Sequence, residues 1–295
     1  GSSANLTAEN YIGMSSGGVE YDEGPATIGS AVVFENATVP AKSSTFDSNS
    51  NKVVIVYRDG GNSNYGTAVV GTVNGTSISF GSVVVFESAA VNYVSCTFDS
   101  NSNKVVISYT DDGNSGYGTA IVGTVSGTNI SFGTAVVFRS AGAGSTNATF
   151  DSNSNKVVIA YRDGGNSNKG TVIAGAVSGT SISFESPTVF ESGASLWITT
   201  VFDSNSNTSV ISYRDDGNSG YGTSIVFKNA FDNTVRGQVA SGGAALVNTK
   251  GAININQNAL TAGQSYFVQP DGTIGTTAGT PSVFAGTAVS ATKLI

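Results

Sequence analysis

The stretch Thr45–Ile55 reads TFDSNSNKVVI, and the same eleven letters return at Thr97–Ile107 and Thr149–Ile159. A fourth, altered copy, VFDSNSNTSVI, begins at Val201. The phenylalanine of each copy follows the previous one after 52 residues, at Phe46, Phe98, Phe150 and Phe202. A fixed period without insertions indicates one structural unit repeated in tandem, so the sequence predicts an array of modules.

Each copy has the pattern of short β-strands. In the first copy, apolar residues alternate with polar ones or form β-branched runs at 52–58, 66–73, 77–80 and 83–88, and a short STF segment precedes Asp47. Clusters of Gly, Asn, Asp and Ser separate these runs and are typical of turns. The pattern predicts four antiparallel strands per copy, here named A to D, without a helix.

The two ends of the array carry complementary defects. GSAVVFEN at 29–36 lies 52 residues before GSVVVFES at 81–88, so an isolated strand D precedes the first copy, whereas the fourth copy ends after strand C at 209–227. The two defects would complete each other in a ring. We therefore expect an all-β, β-propeller-like fold of four blades of about 52 residues, closed by the N-terminal strand. The alternatives are a shallow closed β-barrel and an open stack, which would leave unpaired strand edges.

The rest of the chain lies outside the repeat. We predict a repeat domain at 25–228 and a small β domain at 229–295, whose sequence is rich in Gly, Thr and Ala and contains PDG and AGTP turns. Residues 1–24 form an N-terminal segment in which 1–3 resemble a cloning scar. Because NYIGMSSGG at 10–18 echoes RGQVASGG at 236–243, we expect a strand of this segment to pack with the C-terminal domain.

Charge and hydropathy narrow the classes of partner. The chain has 13 basic and 20 acidic residues, a net charge of −7, and no cluster of Lys and Arg. This balance argues against nucleic acid and against an anionic membrane surface as partners. No long uninterrupted apolar run is present, so we predict neither membrane insertion nor a secretory leader.

Residue types that most catalytic sites need are missing. The chain has no histidine, which excludes His-based acid–base catalysis and His-ligated zinc, and its one cysteine, Cys96, cannot form an intrachain disulfide. Cys96 stands where other copies carry Ser44, Ala148 and Thr200, so we interpret it as a small packed residue. The residues that differ between copies offer no acid–base pair of carboxylates, so we expect no enzyme, with a carbohydrate hydrolase as the alternative.

Variation between the copies is concentrated in the D-to-A connections at 35–45, 87–97, 139–149 and 191–201. In a ring these connections would emerge on the same face as the B-to-C turns, and variable loops on a constant scaffold are typical of binding surfaces. The candidate ligand-binding residues on these loops are Tyr93, Trp197, Asp59, Asp111, Asp163, Asp215, Tyr65, Tyr117 and Tyr221. The alternatives are that Trp197 fills the space between blades and that the aspartates pair with nearby arginines on a solvated rim.

The DSNSN segment matches the first three ligand positions of a D-x-N-x-N calcium loop. The weak metal candidates are Asp47, Asp99, Asp151 and Asp203. The segment lacks the following glycine and the downstream glutamate of such a loop, so it would bind Ca²⁺ weakly at best. We favour an Asx-type hairpin turn between strands A and B and predict no other cofactor.

The C-terminal sequence LTAGQSYFVQPDGTIGTTAGTPSVFAGTAVSATKLI (260–295) resembles a terminal module of structural and tail-fibre-like proteins of marine bacteriophages, especially cyanophages. NLTAENYIG (5–13) and the 52-residue repeat resemble segments of the same kind of protein. The resemblance implies a virion component, often oligomeric, that recognises a glycan or protein receptor on the host surface and contacts other virion proteins. It implies no catalytic residue. A purely structural virion spacer is the alternative function.

Overall fold

The structure is a computed structural model that describes residues 12–15, 18–21, 26–229, 260–262, 264–268, 274–277, 284–290 and 293–294. The chain divides into two compact units, residues 1–230 and 231–295. Within the described ranges, no helix has the length and apolar character needed to cross a bilayer.

The described residues contain β-strands and three single-turn 3-10 helices. The strands of the first unit are β1 Ile12–Ser15, β2 Gly18–Tyr21, β3 Lys42–Asp47, β4 Lys52–Asp59, β5 Tyr65–Asn74, β6 Ser77–Phe80, β7 Val84–Asp99, β8 Lys104–Asp111, β9 Tyr117–Ser126, β10 Asn129–Phe132, β11 Val136–Asp151, β12 Lys156–Asp163, β13 Lys169–Ser178, β14 Ser181–Phe184, β15 Thr188–Asp203, β16 Thr208–Asp215 and β17 Tyr221–Phe227. The 3-10 turns are Asp112–Asn114, Gly164–Asn166 and Asp216–Asn218.

One antiparallel system of 15 strands connects all four repeats. Its main path runs β17-β16-β15-β13-β12-β11-β9-β8-β7-β5-β4-β3, and β6, β10 and β14 pair with the far halves of β5, β9 and β13. The first part of β7 pairs with β5 of its own repeat, and the second part pairs with β8 of the next repeat. Each 16-residue strand therefore joins two successive four-stranded layers.

The all-β prediction is confirmed, whereas closure of the array is not. The described sheet has β3 at one end and β17 at the other, and these strands do not pair with each other. Residues 29–36, the expected closing strand, are described but form no strand. The sequence also predicted loops between strands D and A, and this is wrong, because β7, β11 and β15 run through those connections. Each long strand pairs first with the strand before it and then with the strand after it, so it continues through the connection with only bulges.

Successive layers pack face to face and bury both faces of the inner strands. Val105, Ile107 and Tyr109 of β8 join the core cluster with the layer before, whereas Val106 of the same strand joins the cluster with the layer after. Alternate residues of a strand point to opposite faces, so an uninterrupted apolar run such as KVVI serves two cores at once.

Polar contacts between neighbouring repeats repeat with the same spacing. The side chains of Ser43, Ser95 and Asn147 accept hydrogen bonds from the backbone amides of Cys96, Ala148 and Thr200 in the following repeat, at 3.2, 3.0 and 2.7 Å. These bonds satisfy amides in the crowded centre of the stack. Cys96 is buried there, which confirms its interpretation as a small packed residue.

The second unit has its own small sheet of four strands. Its strands are β18 Ser265–Val268, β19 Ile274–Gly275, β20 Phe284–Ser290 and β21 Lys293–Leu294, in the order β19-β18-β20-β21. Leu260 and Tyr266 are buried together, and the amide of Thr261 donates to the Tyr266 hydroxyl at 2.9 Å. Much of the predicted 1–24 segment and most of 229–259 lie outside the described residues, so the expected packing of the N-terminal strand stays a prediction.

Candidate functional site

A β-bulge interrupts each long strand at the same place in the repeat. The register shifts between Asn92 and Ser95 in β7, and the equivalent shifts occur in β11 and β15. The bulged residues are Tyr93, Ser145 and Trp197, with φ values of 47°, 49° and 49°. We call these three residues the bulge row. A left-handed backbone is unusual for non-glycine residues and is frequent at functional sites.

Trp197 is the most prominent side chain of the bulge row. Its side chain is 71% exposed, although tryptophan is mostly buried on average, so the alternative that it fills the space between layers is wrong. The guanidinium carbon of Arg214 lies 5.2 Å from the centre of its ring, within cation–π range. Arg214 also forms an ion pair with Asp216, with Nε and Oδ1 2.8 Å apart. One face of the Trp197 ring therefore lies against the guanidinium of Arg214, which Asp216 holds in place, and most of the residue is exposed to solvent.

Tyr93 occupies the same position two repeats earlier. It is 46% exposed, and its carbonyl oxygen accepts a hydrogen bond from the hydroxyl of Thr146 in the next repeat. Ser145, between the two aromatic residues, is buried. The bulge row therefore presents two exposed aromatic side chains on a backbone that is fixed by strand pairing on either side.

The B-to-C turns lie against the bulged strands. The amides of Val91, Ala143 and Ser195 donate to the carbonyls of Asn64, Gly116 and Asn168 in the turn of the preceding repeat, at 3.0–3.1 Å. A side-chain network extends this contact, since Arg58 donates to Asn92 and Asn92 donates to Asp112. The turns are therefore held against the strands that carry the bulge row.

The four candidate aspartates of these turns have a structural task. Asp59, Asp111, Asp163 and Asp215 are all buried, and the Oδ1 atom of each accepts one or two backbone amides of its own turn. Asp163 also pairs with Arg139, with Nε and Oδ1 2.7 Å apart. These carboxylates stabilise the turns. Their buried, hydrogen-bonded oxygens are therefore less available to a ligand than the sequence suggested.

The three candidate tyrosines of the turns differ in exposure. Tyr65 and Tyr117 are half-buried and pair with Ala90 and Gly142 of the long strands. Tyr221 is 62% exposed, because no following strand pairs with β17 in the described sheet. The exposure of Tyr221 is therefore a property of the end of the array and not of the bulge row.

The DSNSN segments form Asx turns, which confirms the favoured interpretation of these letters. In the first copy, Asp47 Oδ1 accepts the amides of Asn49 and Ser50 at 2.9 and 3.0 Å, and Oδ2 accepts the Ser50 hydroxyl at 2.7 Å. The same pattern holds Asp99 and Asp151, and a shorter form of it holds the exposed Asp203. Both carboxylate oxygens are thus engaged inside the turn. The described residues contain no cluster of three acidic or cysteine side chains arranged around a common point.

The partners around the bulge row were not among the residues predicted to bind, although pairing of turn aspartates with nearby arginines was the alternative that the sequence offered. Arg214 pairs with Asp216 beside Trp197, and Asn92 donates to Asp112 near Tyr93. The spacing of the strands could have indicated that Arg214 lies near Trp197, because Arg214 is on the next strand and pairs with Leu196. No family model matches this chain, and no curated protein matches it.

Proposed function

We propose that this chain is a non-enzymatic virion or tail-fibre protein of a bacteriophage, whose repeat domain recognises a glycan on the host surface. The observation that carries the proposal is the exposed Trp197 ring, held on Arg214 beside Asp216. An aromatic ring can stack on the apolar face of a sugar, while adjacent charged groups can bind its hydroxyls.

The pattern of substitution supports a binding role for this position. The bulge position carries Ala41, Tyr93, Ser145 and Trp197 in the four repeats, whereas the neighbouring turns keep nearly the same letters. Residues that only fill space between identical layers have no reason to vary between alanine and tryptophan. An exposed position on a constant scaffold can vary to suit a ligand.

The virion assignment rests on the resemblance of the C-terminal sequence and the repeat to phage fibre proteins. In such a particle, several weak sites would act together, because binding at one site raises the effective concentration of the surface at the next. Closure of the array into a four-bladed propeller stays a prediction. It requires residues 29–36 to form a strand and to pair with β17 of the same chain.

A glycan array tests the function directly. The purified chain would be probed with and without calcium, beside Trp197→Ala, Tyr93→Ala and the matched control Val201→Ala, which changes an exposed residue of β15 away from the bulge. We expect binding that Trp197→Ala weakens by about tenfold or more, as for an aromatic anchor, and that Val201→Ala leaves unchanged. Equal binding by all variants would place the ligand elsewhere.

A structural spacer is the second candidate, and the regular contacts between repeats favour it. The side chains of Ser43, Ser95 and Asn147 accept hydrogen bonds from the next layer, and such regular contacts would stiffen the array without a ligand. A blank array in both buffers, with a folded protein, would favour the spacer or a protein receptor. A hydrolase, the third alternative, would instead release sugars from a bound glycan.

A further inference from the structure

A phenylalanine ring covers a glycine at each junction between repeats. A methyl group added at Gly66, Gly118 or Gly170 would lie 2.4–2.5 Å from the ring of Phe86, Phe138 or Phe190. Only glycine allows such a close approach of the ring to strand C. The fourth repeat keeps this glycine as Gly222, yet a methyl group there would meet nothing within 4 Å. The last repeat therefore has the glycine without a ring that covers it, and we call this uncovered glycine the free socket.

Residues 29–36, ahead of the first repeat, show the converse, because no described glycine lies under the ring of Phe34. Phe34 lies edge-on to Tyr57, with 5.3 Å between ring centres, and 5.9 Å from Phe80. Phe86 contacts Tyr109 and Phe132 at 5.3 and 5.8 Å in the next repeat. The Phe34 ring is therefore already placed on the first layer as Phe86 is placed on the second.

The neighbouring glutamate follows the same pattern. Glu35 accepts a hydrogen bond of 3.1 Å from the Tyr57 hydroxyl, which is also the length of the bond from Tyr109 to Glu87. Residues 31–35 therefore occupy the place of strand D on the first layer. In the described sheets no strand pairs with them, and they form no strand.

In the described sheet, the edge of β17 has no partner along the residues that strand D covers in the other repeats. Thr67 and Ala68 of β5 pair with Val85 and Val84, and the equivalent residues of β9 and β13 have equivalent partners. Thr223 and Ser224 of β17 have no such partner in the described sheet. On the same strand Val226 is 61% exposed, whereas the equivalent Ala174 is 3% exposed.

We propose that a second copy of this chain docks head to tail at this edge, with residues 31–35 of one copy paired to β17 of the next and Phe34 seated over Gly222. The contact repeats between chains the junction that already joins the repeats within the chain. Each copy keeps one free ring and one free socket, so the contact is heterologous and can propagate. Addition of a strand to an open edge supplies the main-chain hydrogen bonds.

The outer face of the first layer and that of the last layer could pack together as neighbouring repeats do, but with less apolar contact. A cavity of about 400 Å³ beside Phe34, lined by Lys42, Ser43, Ser44 and Ile55, marks the first layer where a preceding layer would pack. On the last layer, the hydroxyls of Ser212 and Ser224 are hydrogen-bonded to each other at 2.8 Å. The equivalent residues of the second layer, Ser108 and Ala120, are buried against the next layer. Less apolar area is buried in this contact, so we expect association that depends on protein concentration.

Cysteine cross-linking at the expected register tests the proposal. In a Cys96→Ala background, Val32→Cys and Ser224→Cys correspond to the pair Val84 and Ala68 of β7 and β5. We expect mild oxidation to give a ladder of covalent dimers and longer chains on a non-reducing gel, increasing with protein concentration. Val33→Cys with Ser224→Cys is the control one residue out of register, whose side chains face opposite sides and should cross-link much less.

Two further results decide the matter. Adding Gly222→Ala should reduce the ladder by about tenfold, since its methyl group would overlap the incoming Phe34 ring, while leaving the unfolding transition of the isolated chain unchanged. A cross-linked product that stays monomeric would instead assign the pairing to closure within one chain, and that result overturns the proposal. So would an absence of any cross-link while far-ultraviolet circular dichroism shows a folded protein.

Discussion

The hydroxyl of Tyr109 donates a hydrogen bond of 3.1 Å to the carboxylate of Glu87 on the adjacent long strand. The same bond joins Tyr213 to Glu191 at 3.0 Å. In the third repeat, Arg139 stands at the glutamate position and pairs with Asp163 instead, so the buried Tyr161 hydroxyl has no hydrogen-bond partner. Burial raises the pKa of all three tyrosines, which stay protonated donors at neutral pH.

This difference predicts unequal effects of the same substitution. Tyr109→Phe should lower the free energy of unfolding by about 1–2 kcal/mol, because it removes a bond to a half-buried carboxylate. Tyr161→Phe should be neutral or stabilising, because it removes a buried hydroxyl that already lacks a partner. Urea unfolding of the two variants and the parent chain measures both values. Equal losses would show that the hydroxyl of Tyr161 is in fact bonded.

The two glutamates of these pairs should respond to pH in opposite directions. Burial, with the Asp111 carboxylate adding to it, raises the pKa of Glu87, whereas a hydrogen bond from the backbone amide of Gly193 lowers the pKa of the partly exposed Glu191. Between its unfolded pKa and its raised folded pKa, Glu87 binds more protons in the folded state, so its contribution to stability falls as pH rises. Glu191 binds fewer protons in the folded state, so its contribution is present above its unfolded pKa and is lost as pH falls through the folded value.

Glutamine variants separate these contributions. We expect Glu87→Gln to stabilise the chain relative to the parent more at pH 7 than at low pH, since it keeps an acceptor for Tyr109 without a buried charge. Glu191→Gln should destabilise the chain at pH 7 and lose this effect in acid. Urea unfolding between pH 3 and pH 7 gives both profiles, and parallel profiles for the two variants would contradict the assignment.

The left-handed backbone of the bulge row predicts an unusual order of stability at Tyr93. Glycine normally weakens a strand relative to alanine, but at φ 47° the alanine Cβ is strained and glycine is not. We therefore expect Tyr93→Gly to be more stable than Tyr93→Ala by about 1 kcal/mol in thermal or urea unfolding. The same pair of substitutions at Val84, a strand position in the same β7, should show the normal order with alanine ahead.

Cys96 should react with thiol reagents only when the array opens. Its side chain is buried in the core between the first two layers, and burial raises the pKa of its thiol to about 12. The thiolate that attacks such reagents is therefore scarce in the folded chain. We expect modification by an aromatic disulfide reagent to be slow in buffer and to become rapid across the urea unfolding transition. Rapid labelling without denaturant would show that the layers separate locally.

The sequence determined the local structure of the repeat. Runs of β-branched residues between Gly, Asn and Asp clusters specify strands such as Lys52–Asp59 and hairpins such as the Asp47 turn, since both depend on neighbours in the chain. The burial of Cys96 followed from the small residues at its equivalent positions. These features need no knowledge of the partner layer.

The sequence predicted candidate residues without distinguishing their structural roles. Tyr93 and Trp197, singled out by variation between copies, are exposed in the structure, whereas the aspartates of the B-to-C turns are buried and bonded to their own turns. A carboxylate that caps a turn and one that binds a ligand have the same letter in the sequence. Only the positions of the surrounding amides distinguish them.

The sequence by itself determined the 52-residue period, the strands and the turns, because hydrophobic alternation and turn chemistry act over a few residues. The tertiary structure decided that strands D and A form one continuous bulged strand, that the exposed Trp197 lies against Arg214, and that the described sheet ends at β3 and β17. Those outcomes depend on how one layer is turned and offset against the next. That relationship is set by packing contacts such as the one between Phe86 and Gly66. These residues belong to different strands, and the local sequence pattern does not show that they touch.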